Sequence, residues 1–112
     1  MHLFLDDVRE APEGWIKCTT PFDVIMFLMR YNVDGFEVQE ISLDNDLGSP
    51  LCEGYDVLKW MEVFINICPE FKVPVIYVHS ANPVAYEKMY KSVSYIYRQK
   101  GRNVPSEINL KV

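Results

Sequence analysis

The sequence predicts an α/β domain built around a mainly parallel central sheet of four or five strands. Short apolar runs of strand length alternate with longer stretches whose apolar residues recur at helical spacing. Three of the strand-like runs end directly in acidic or polar residues, as buried strands do where they meet a loop. Strands that alternate with helices form βαβ units with right-handed crossovers. With 112 residues the chain has the size of one ordinary domain, so we expect a single domain over residues 1–112.

The first two predicted strands are short and lie close together in the sequence. Residues 2–5 form an apolar run that stops at Asp6 and Asp7, and residues 15–18 form the second run. The gap between them is short for a helical crossover, which normally takes about a dozen residues or more. We therefore expect the second strand to be irregular or differently oriented.

A helix is predicted to follow the second strand. Thr20 and Pro21 have the pattern of an N-cap followed by proline at the first helical position. Apolar residues recur at helical spacing through Arg30, and the segment 32–35 ends the pattern. This helix should lead into the third strand.

The remaining elements continue the alternation. Residues 37–43 predict the third strand, and an amphipathic pattern that begins at Val57 predicts a second helix before Pro69. Residues 73–78 predict a fourth, strongly apolar strand. A final long helix should end near Gly101, and residues 106–112 can add an edge strand.

Composition excludes several classes of protein. The hydrophobic content of 49% argues against disorder, and no apolar run approaches the ~20 residues that span a bilayer. Because the start of the chain also lacks signal-peptide features, we expect a cytoplasmic protein without a membrane partner. The three cysteines are widely spaced and lack a CxxC pair, which argues against a disulfide framework and a zinc site.

The net charge of −5 disfavours nonspecific binding to a phosphate backbone, so duplex DNA is not an expected partner. A local basic patch can still contact RNA, although a solvated helix surface is the more common explanation for such charges. The patch comprises Lys88, Lys91, Arg98, Lys100 and Arg102.

Acidic and polar side chains follow three of the predicted strands. They are Asp6 and Asp7 after the first strand, Asp44 and Asp46 after the third, and His79, Ser80 and Asn82 after the fourth. Ligands of open α/β sheets bind outside the carboxyl ends of the strands, so we expect these residues to converge there. Carboxylates this close repel one another unless protons or a cation neutralise them, and a hard cation such as Mg²⁺ suits oxygen ligands.

Four segments together carry a family resemblance. They are Leu-Asp-Asp-Val-Arg-Glu-Ala-Pro at 5–12 with Gly14-Trp15, Ser-Leu-Asp-Asn-Asp-Leu-Gly at 42–48, Gly54-Tyr55-Asp56, and Val-His-Ser-Ala-Asn-Pro at 78–83. In combination they resemble the cyclic-phosphate processing receiver family over residues 2 to about 96. The resemblance implies a shortened, receiver-like (flavodoxin-like) three-layer sandwich with Mg²⁺ or Mn²⁺ as cofactor.

The resemblance also implies roles for individual residues. Asp6, Asp7 and Asp44 would hold the metal, Asp44 would also be the nucleophile or phosphoacceptor, and Asp46 would support them. His79 would transfer a proton, because an imidazole titrates near neutral pH. A structural role at the end of a strand is the alternative for His79.

Three further residues are candidates for binding phosphate. Ser80 and Asn82 precede the last helix, whose first backbone amides form a natural anion site. Simple N-capping is the alternative for both, and the two roles are compatible. Arg9 offers a planar guanidinium suited to phosphate, with a surface salt bridge as the alternative.

Two positions depart from the family pattern. Asn45 stands where the family usually carries His, which bears on any mechanism that uses two histidines. Receivers also place a Lys after a fifth strand, and the one candidate, Lys111, has no matching motif around it.

The resemblance therefore implies an enzyme, a metal-dependent phosphoesterase acting on an RNA end with a 2′,3′-cyclic phosphate or on a cyclic nucleotide. The expected partner is accordingly a phosphate-containing small molecule or RNA end. The alternative is a receiver-type signalling or binding module that accepts a phosphoryl group on Asp44 or only binds. The sequence leaves the substrate and the oligomeric state open.

Overall fold

The computed structural model describes residues 1–34 and 37–110. It contains the elements β1 (His2–Leu5), β2 (Trp15–Cys18), α1 (Pro21–Asp34), β3 (Glu40–Leu43), α2 (Tyr55–Ile67), β4 (Val75–Val78) and α3 (Pro83–Gln99). The predicted alternation of strands and helices is thereby confirmed. The end of α1 agrees with the predicted stop at 32–35, of which Gly35 lies outside the described residues.

The four strands form one parallel sheet in the order β2-β1-β3-β4. This matches the flavodoxin-like order 2-1-3-4-5 without its fifth strand, and it confirms the shortened receiver-like α/β fold. The predicted edge strand at 106–112 is reduced to a single parallel bridge between Val78 and Asn109 in the described part of the tail. Lys111 lies outside the described residues.

The expectation of an irregular or differently oriented second strand is wrong. β2 pairs with β1 in parallel over its whole length, from His2 opposite Trp15 to Leu5 opposite Cys18. A strand of this length spans only about 13 Å. The connection 6–14 covers that distance without a helix, and the longer minimum applies to helical crossovers.

The hydrophobic core lies on one face of the sheet. Leu3, Leu5 and Ile41 belong to the same buried cluster as Leu58 of α2 and Met89 of α3. Side chains alternate along a strand, so the intervening residues of β1 and β3 face the opposite side. Right-handed crossovers place the helical connections on the core side and the helix-free connection 6–14 on the other. The layer in which this fold is shortened is therefore the one opposite the helices.

The outer edge of β4 is closed by hydrogen bonds from outside the sheet. The backbone N–H of Ile76 donates to the Tyr97 hydroxyl at 2.8 Å, and the N–H of Val78 donates to the Ile108 carbonyl at 2.8 Å. The guanidinium of Arg102 lies 4.1 Å from the centre of the Tyr97 ring and donates to the Val73 carbonyl. These contacts engage backbone groups at the outer edge of β4. Such groups would otherwise be available to pair with a strand of another chain.

None of the helices in the described ranges is long and apolar enough to span a bilayer.

Replacement of Tyr97 by Phe should lower the free energy of unfolding by about 1–3 kcal/mol, because the buried N–H of Ile76 loses its acceptor. Urea unfolding of both proteins measures the change. Tyr95→Phe, in the exposed part of the same helix, is the matched control and should stay within about 0.5 kcal/mol. Equal unfolding midpoints for Tyr97→Phe and wild type would contradict the assignment.

Candidate functional site

Three site residues meet because of the strand register. Leu5 pairs with Leu43, and Leu43 pairs with Val78, so the residues that follow them stand in one row at the carboxyl edge. Those residues are Asp6, Asp44 and His79, and one ligand atom from each lies within 4.8 Å of the others. We call this group the acidic site. It lies at the edge where the predicted convergence was expected.

Asp6 is the most extensively bonded member of the acidic site. Its Oδ1 accepts the backbone N–H of Val8 at 2.9 Å and of Arg9 at 2.8 Å, and its Oδ2 lies 3.1 Å from His79 Nε2. Burial alone would raise the pKa of Asp6, but these donors outweigh it and hold the pKa below its ordinary value. The carboxylate is therefore ionised at neutral pH although only 1% of the residue is exposed.

The imidazole of His79 is held on three sides. It stacks on Phe4 with ring centres 4.2 Å apart and planes 4° from parallel, and its Nδ1 lies 2.7 Å from Ser42 Oγ. Burial lowers the pKa of His79, although the neighbouring Asp6 opposes the shift, so the ring is neutral at pH 7. Because Nε2 faces the ionised Asp6, the ring proton belongs on Nε2, and Nδ1 accepts the Ser42 hydroxyl.

Ser42 is a site residue that the sequence reasoning missed. It is fully buried in β3, and its side chain points to the same side as Asp44. The signal in the sequence was a hydroxyl between the buried apolar residues Ile41 and Leu43. A buried hydroxyl in such a strand needs a partner, and His79 supplies it.

Asp44 carries the least compensated charge of the acidic site. Burial raises its pKa, and the negative charges of Asp6 and Asp46 raise it further, while the backbone N–H groups of Asn45 and Asp46 only partly oppose the shift. In the metal-free protein, keeping the Asp44 carboxylate ionised therefore costs free energy. A bound cation would relieve that cost.

Asp7 and Asp46 lie outside the three-atom group. Asp7 is exposed and its carboxylate lies against Gly48, where a Cβ atom would stand 2.7 Å from Asp7 Oδ2. Asp46 is exposed in the loop after β3. Of the expected metal ligands, the structure thus groups Asp6 and Asp44 with His79, and Asp7 stands apart.

Asn45 clamps the loop after β3 to the start of α2. Its Nδ2 donates to Glu53 Oε2 at 3.1 Å, its Oδ1 accepts the N–H of Tyr55 at 3.0 Å, and its carbonyl accepts the N–H of Gly54 at 3.0 Å. A Cβ at Gly54 would lie 1.8 Å from the Asp44 carbonyl oxygen, so only glycine fits there. The residue that replaces the family His therefore has a structural role in this chain.

The segment after β4 shows the capping alternative directly. Asn82 is the N-cap of α3, and its Oδ1 accepts the N–H groups of Val84 at 3.0 Å and Ala85 at 3.2 Å. Ser80 Oγ accepts the N–H of Asn82 at 3.2 Å. Two amides of the helix start are thus already engaged, and Ser80 keeps its hydroxyl proton for another acceptor.

Arg9 is exposed, and its positive charge contributes to the lowered pKa of His79, which indicates that the guanidinium is near the site. Its guanidinium forms no ion pair with a carboxylate of the described residues. The salt-bridge alternative for Arg9 therefore has no partner in that part of the chain.

Most of the predicted basic patch is engaged within the protein. Lys88 pairs with Glu53 at 3.1 Å, and Lys91 pairs with Glu87 at 3.6 Å. Lys100 donates to a backbone carbonyl at 2.9 Å, and Arg102 is engaged at Tyr97 as described above. These contacts favour the interpretation of a solvated helix surface.

Comparison with protein families gives a match over most of the chain. A family model described as "Cyclic-phosphate processing Receiver domain" matches residues 1–94, which include every residue of the acidic site. Comparisons with curated proteins and with solved structures give no significant match.

Removal of the Asn45 side chain should destabilise the protein. Asn45→Ala leaves the N–H of Tyr55 without its acceptor, so we expect a loss of about 1–3 kcal/mol in the free energy of unfolding. Chemical denaturation measures the loss, with Asn66→Ala on the exposed side of α2 as the control. An unfolding midpoint of Asn45→Ala equal to that of the wild type would show that the hydrogen bonds of the Asn45 side chain do not stabilise the protein.

Asp44→Asn should raise the stability of the protein in EDTA. The raised pKa of Asp44 means that its charge is less favourable in the folded than in the unfolded chain at pH 7, so its removal is a gain. Asp56→Asn is the matched control of opposite sign. The N–H of Glu53 and the charge of Lys59 outweigh burial and lower the pKa of Asp56, so its loss should destabilise. Thermal unfolding at pH 7 measures the change in midpoint for both variants. A lower midpoint for Asp44→Asn than for the wild type would contradict the claim that the Asp44 charge is unfavourable in the folded protein.

Proposed function

The chain belongs to the cyclic-phosphate processing receiver domain family, and on that premise we propose that it hydrolyses a cyclic phosphate with a divalent cation at the acidic site. The substrate class is an RNA end bearing a 2′,3′-cyclic phosphate or a cyclic nucleotide. The observation that carries the proposal is the convergence of donor atoms from Asp6, Asp44 and His79 within 4.8 Å.

The donor set fits a divalent cation. Asp6 and Asp44 offer carboxylate oxygens, and the raised pKa of Asp44 reflects negative charge that a cation would balance. Oxygen ligands alone suit Mg²⁺, whereas an imidazole nitrogen from His79 would favour Mn²⁺ or another first-row ion. When bound, the cation would neutralise charge that develops on the phosphoryl oxygens. Asp7 can join the set only if its side chain leaves Gly48.

We assign His79 the task of orienting Asp6. Its Nε2 proton points at Asp6 Oδ2, and its other nitrogen is occupied by Ser42, so neither nitrogen is free to take a proton from a substrate. A change of tautomer would release Nε2 as a metal ligand or base, with the proton moving to Nδ1 against Ser42 Oγ. Ser42 would then accept a hydrogen bond where it now donates one.

The residues around the acidic site complete the proposed reaction. The guanidinium of Arg9 would pair with phosphoryl oxygens, and the hydroxyl of Ser80 would donate to the same group. Asn82 holds the positive end of the α3 dipole in place at this edge of the sheet. Hydrolysis opens the ring by breaking one P–O bond to the ribose, with water supplying the new oxygen on phosphorus and the proton on the ribose oxygen. Asp44 acts either as the nucleophile or only as a ligand.

A receiver-type signalling module is the second candidate. Asp44 follows the third strand opposite Asp6, which is where receiver domains accept a phosphoryl group, and it is only half-buried. Acid-labile phosphorylation of Asp44 by a small phosphodonor, without turnover of any cyclic phosphate, would favour this function.

The proposal predicts that Mn²⁺ or Mg²⁺ raises the thermal midpoint of the wild type and supports release of product from 2′,3′-cyclic nucleotides. A ligand at 100 times its Kd stabilises by about 2.7 kcal/mol. Asp44→Asn should lose the metal-dependent shift and reduce turnover about 100-fold or more. Glu13→Gln is the control, because this exposed acid precedes β2 at the opposite edge of the sheet. Turnover that survives both Asp44→Asn and EDTA would sink the proposal.

A further inference from the structure

A cavity of about 510 Å³ opens beside the acidic site, within the loop that follows β3. Its lining begins with Asn45 and Asp46, which directly follow Asp44, and ends with Glu53 and Asp56 at the start of α2. Pockets of roughly 300–1,000 Å³ hold small molecules. Asp44 itself does not line the cavity, so a molecule that reaches both must extend from one to the other.

The polar groups that line this cavity disfavour the binding of phosphate and favour the binding of hydrogen-bond donors. Three carboxylates line it. Glu53 is engaged by Asn45 and Lys88, and Asp56 by Lys59 and a backbone N–H, whereas no described side chain bonds the exposed carboxylate of Asp46. A phosphate would be repelled there, whereas a neutral group with N–H donors would be bound.

The rim of the site carries the most exposed large apolar side chains of the described residues. Leu51 is 91% exposed and lines the cavity, and Val8 and Val84 are each 78% exposed. Val8 follows β1 and donates its N–H to Asp6, and Val84 belongs to the first turn of α3 after β4. All three stand at the carboxyl edge of the sheet. Of the three, Leu51 is the side chain that a molecule bound in the cavity would contact.

We propose that the loop 45–53 forms a nucleoside subsite, in which the base of a cyclic-phosphate nucleotide contacts Leu51 while its phosphate reaches the acidic site. This inference rests on the proposed function and adds to it a direct contact between the protein and the base of the substrate. A nucleobase has flat apolar faces and N–H donors at its edge, which match Leu51 and the free carboxylate of Asp46. The Asn45 clamp and the close contact at Gly54 hold the loop in shape before the ligand arrives.

The test compares substrates with and without a base. Wild-type protein with Mn²⁺ is assayed on guanosine 2′,3′-cyclic phosphate and on the base-free 1,2-cyclic phosphate of propanediol. The KM for the base-free compound should be at least about tenfold higher, because the contact with Leu51 is lost. Leu51→Ser should raise the KM of the guanosine substrate about tenfold, with kcat nearly unchanged, and leave the base-free substrate unaffected. Val63→Ser, an exposed apolar residue on α2, is the control.

Equal KM values for the two substrates, or a Leu51→Ser variant that behaves as wild type, would overturn the subsite while the turnover itself upholds the proposed function. Absence of turnover on every cyclic phosphate would instead remove the proposed function. Equilibrium dialysis of guanosine 2′,3′-cyclic phosphate then decides the subsite. Binding that weakens in Leu51→Ser and not in Val63→Ser supports it, and absence of binding by the wild type overturns it.

Discussion

The hydrogen bonding of one buried carboxylate organises this site. Asp6 is almost fully buried, and a buried ion persists only when donors replace the water it has lost. Two backbone N–H groups of the following loop and the imidazole of His79 supply those donors. The path of the chain after β1 and the orientation of His79 follow from keeping this charge ionised. The same charge adds to the effect of burial in raising the pKa of Asp44.

The helix-free connection between β1 and β2 determines which side of the sheet is available to the site. Three helices cover one face, and the side chains of Phe4 and Ser42 project from the other. The short connection 6–14 leaves room on that face for His79 to stack on Phe4 and to bond with Ser42. The imidazole thus belongs to the layer in which this receiver-like fold is shortened. That placement explains a neutral, rigidly held histidine beside an ionised carboxylate.

Sequence reasoning predicted the order of the elements and the edge at which the site lies, because apolar periodicity and polar strand ends are local signals. It did not predict that β2 is regular and parallel, since the length rule it used describes helical crossovers. Ser42 was missed because its role depends on the register between β3 and β4, which no local pattern encodes. The structural use of Asn45 was equally invisible, because its partners lie eight and ten residues further on.

The loop after β3 carries a charge in an unfavourable environment, and its backbone is nevertheless held in a fixed conformation. The charge of Asp44 is unfavourable in its partly buried position, so the backbone around it must be held by contacts that do not depend on that charge. Asn45 provides two such contacts, and Gly54 allows the loop to pass against the Asp44 carbonyl at a distance that no side chain would permit. A position where the family usually carries His has here become part of the support for the site. The proposed hydrolysis would therefore rely on a single imidazole at this site, that of His79, beside the charge of Asp44.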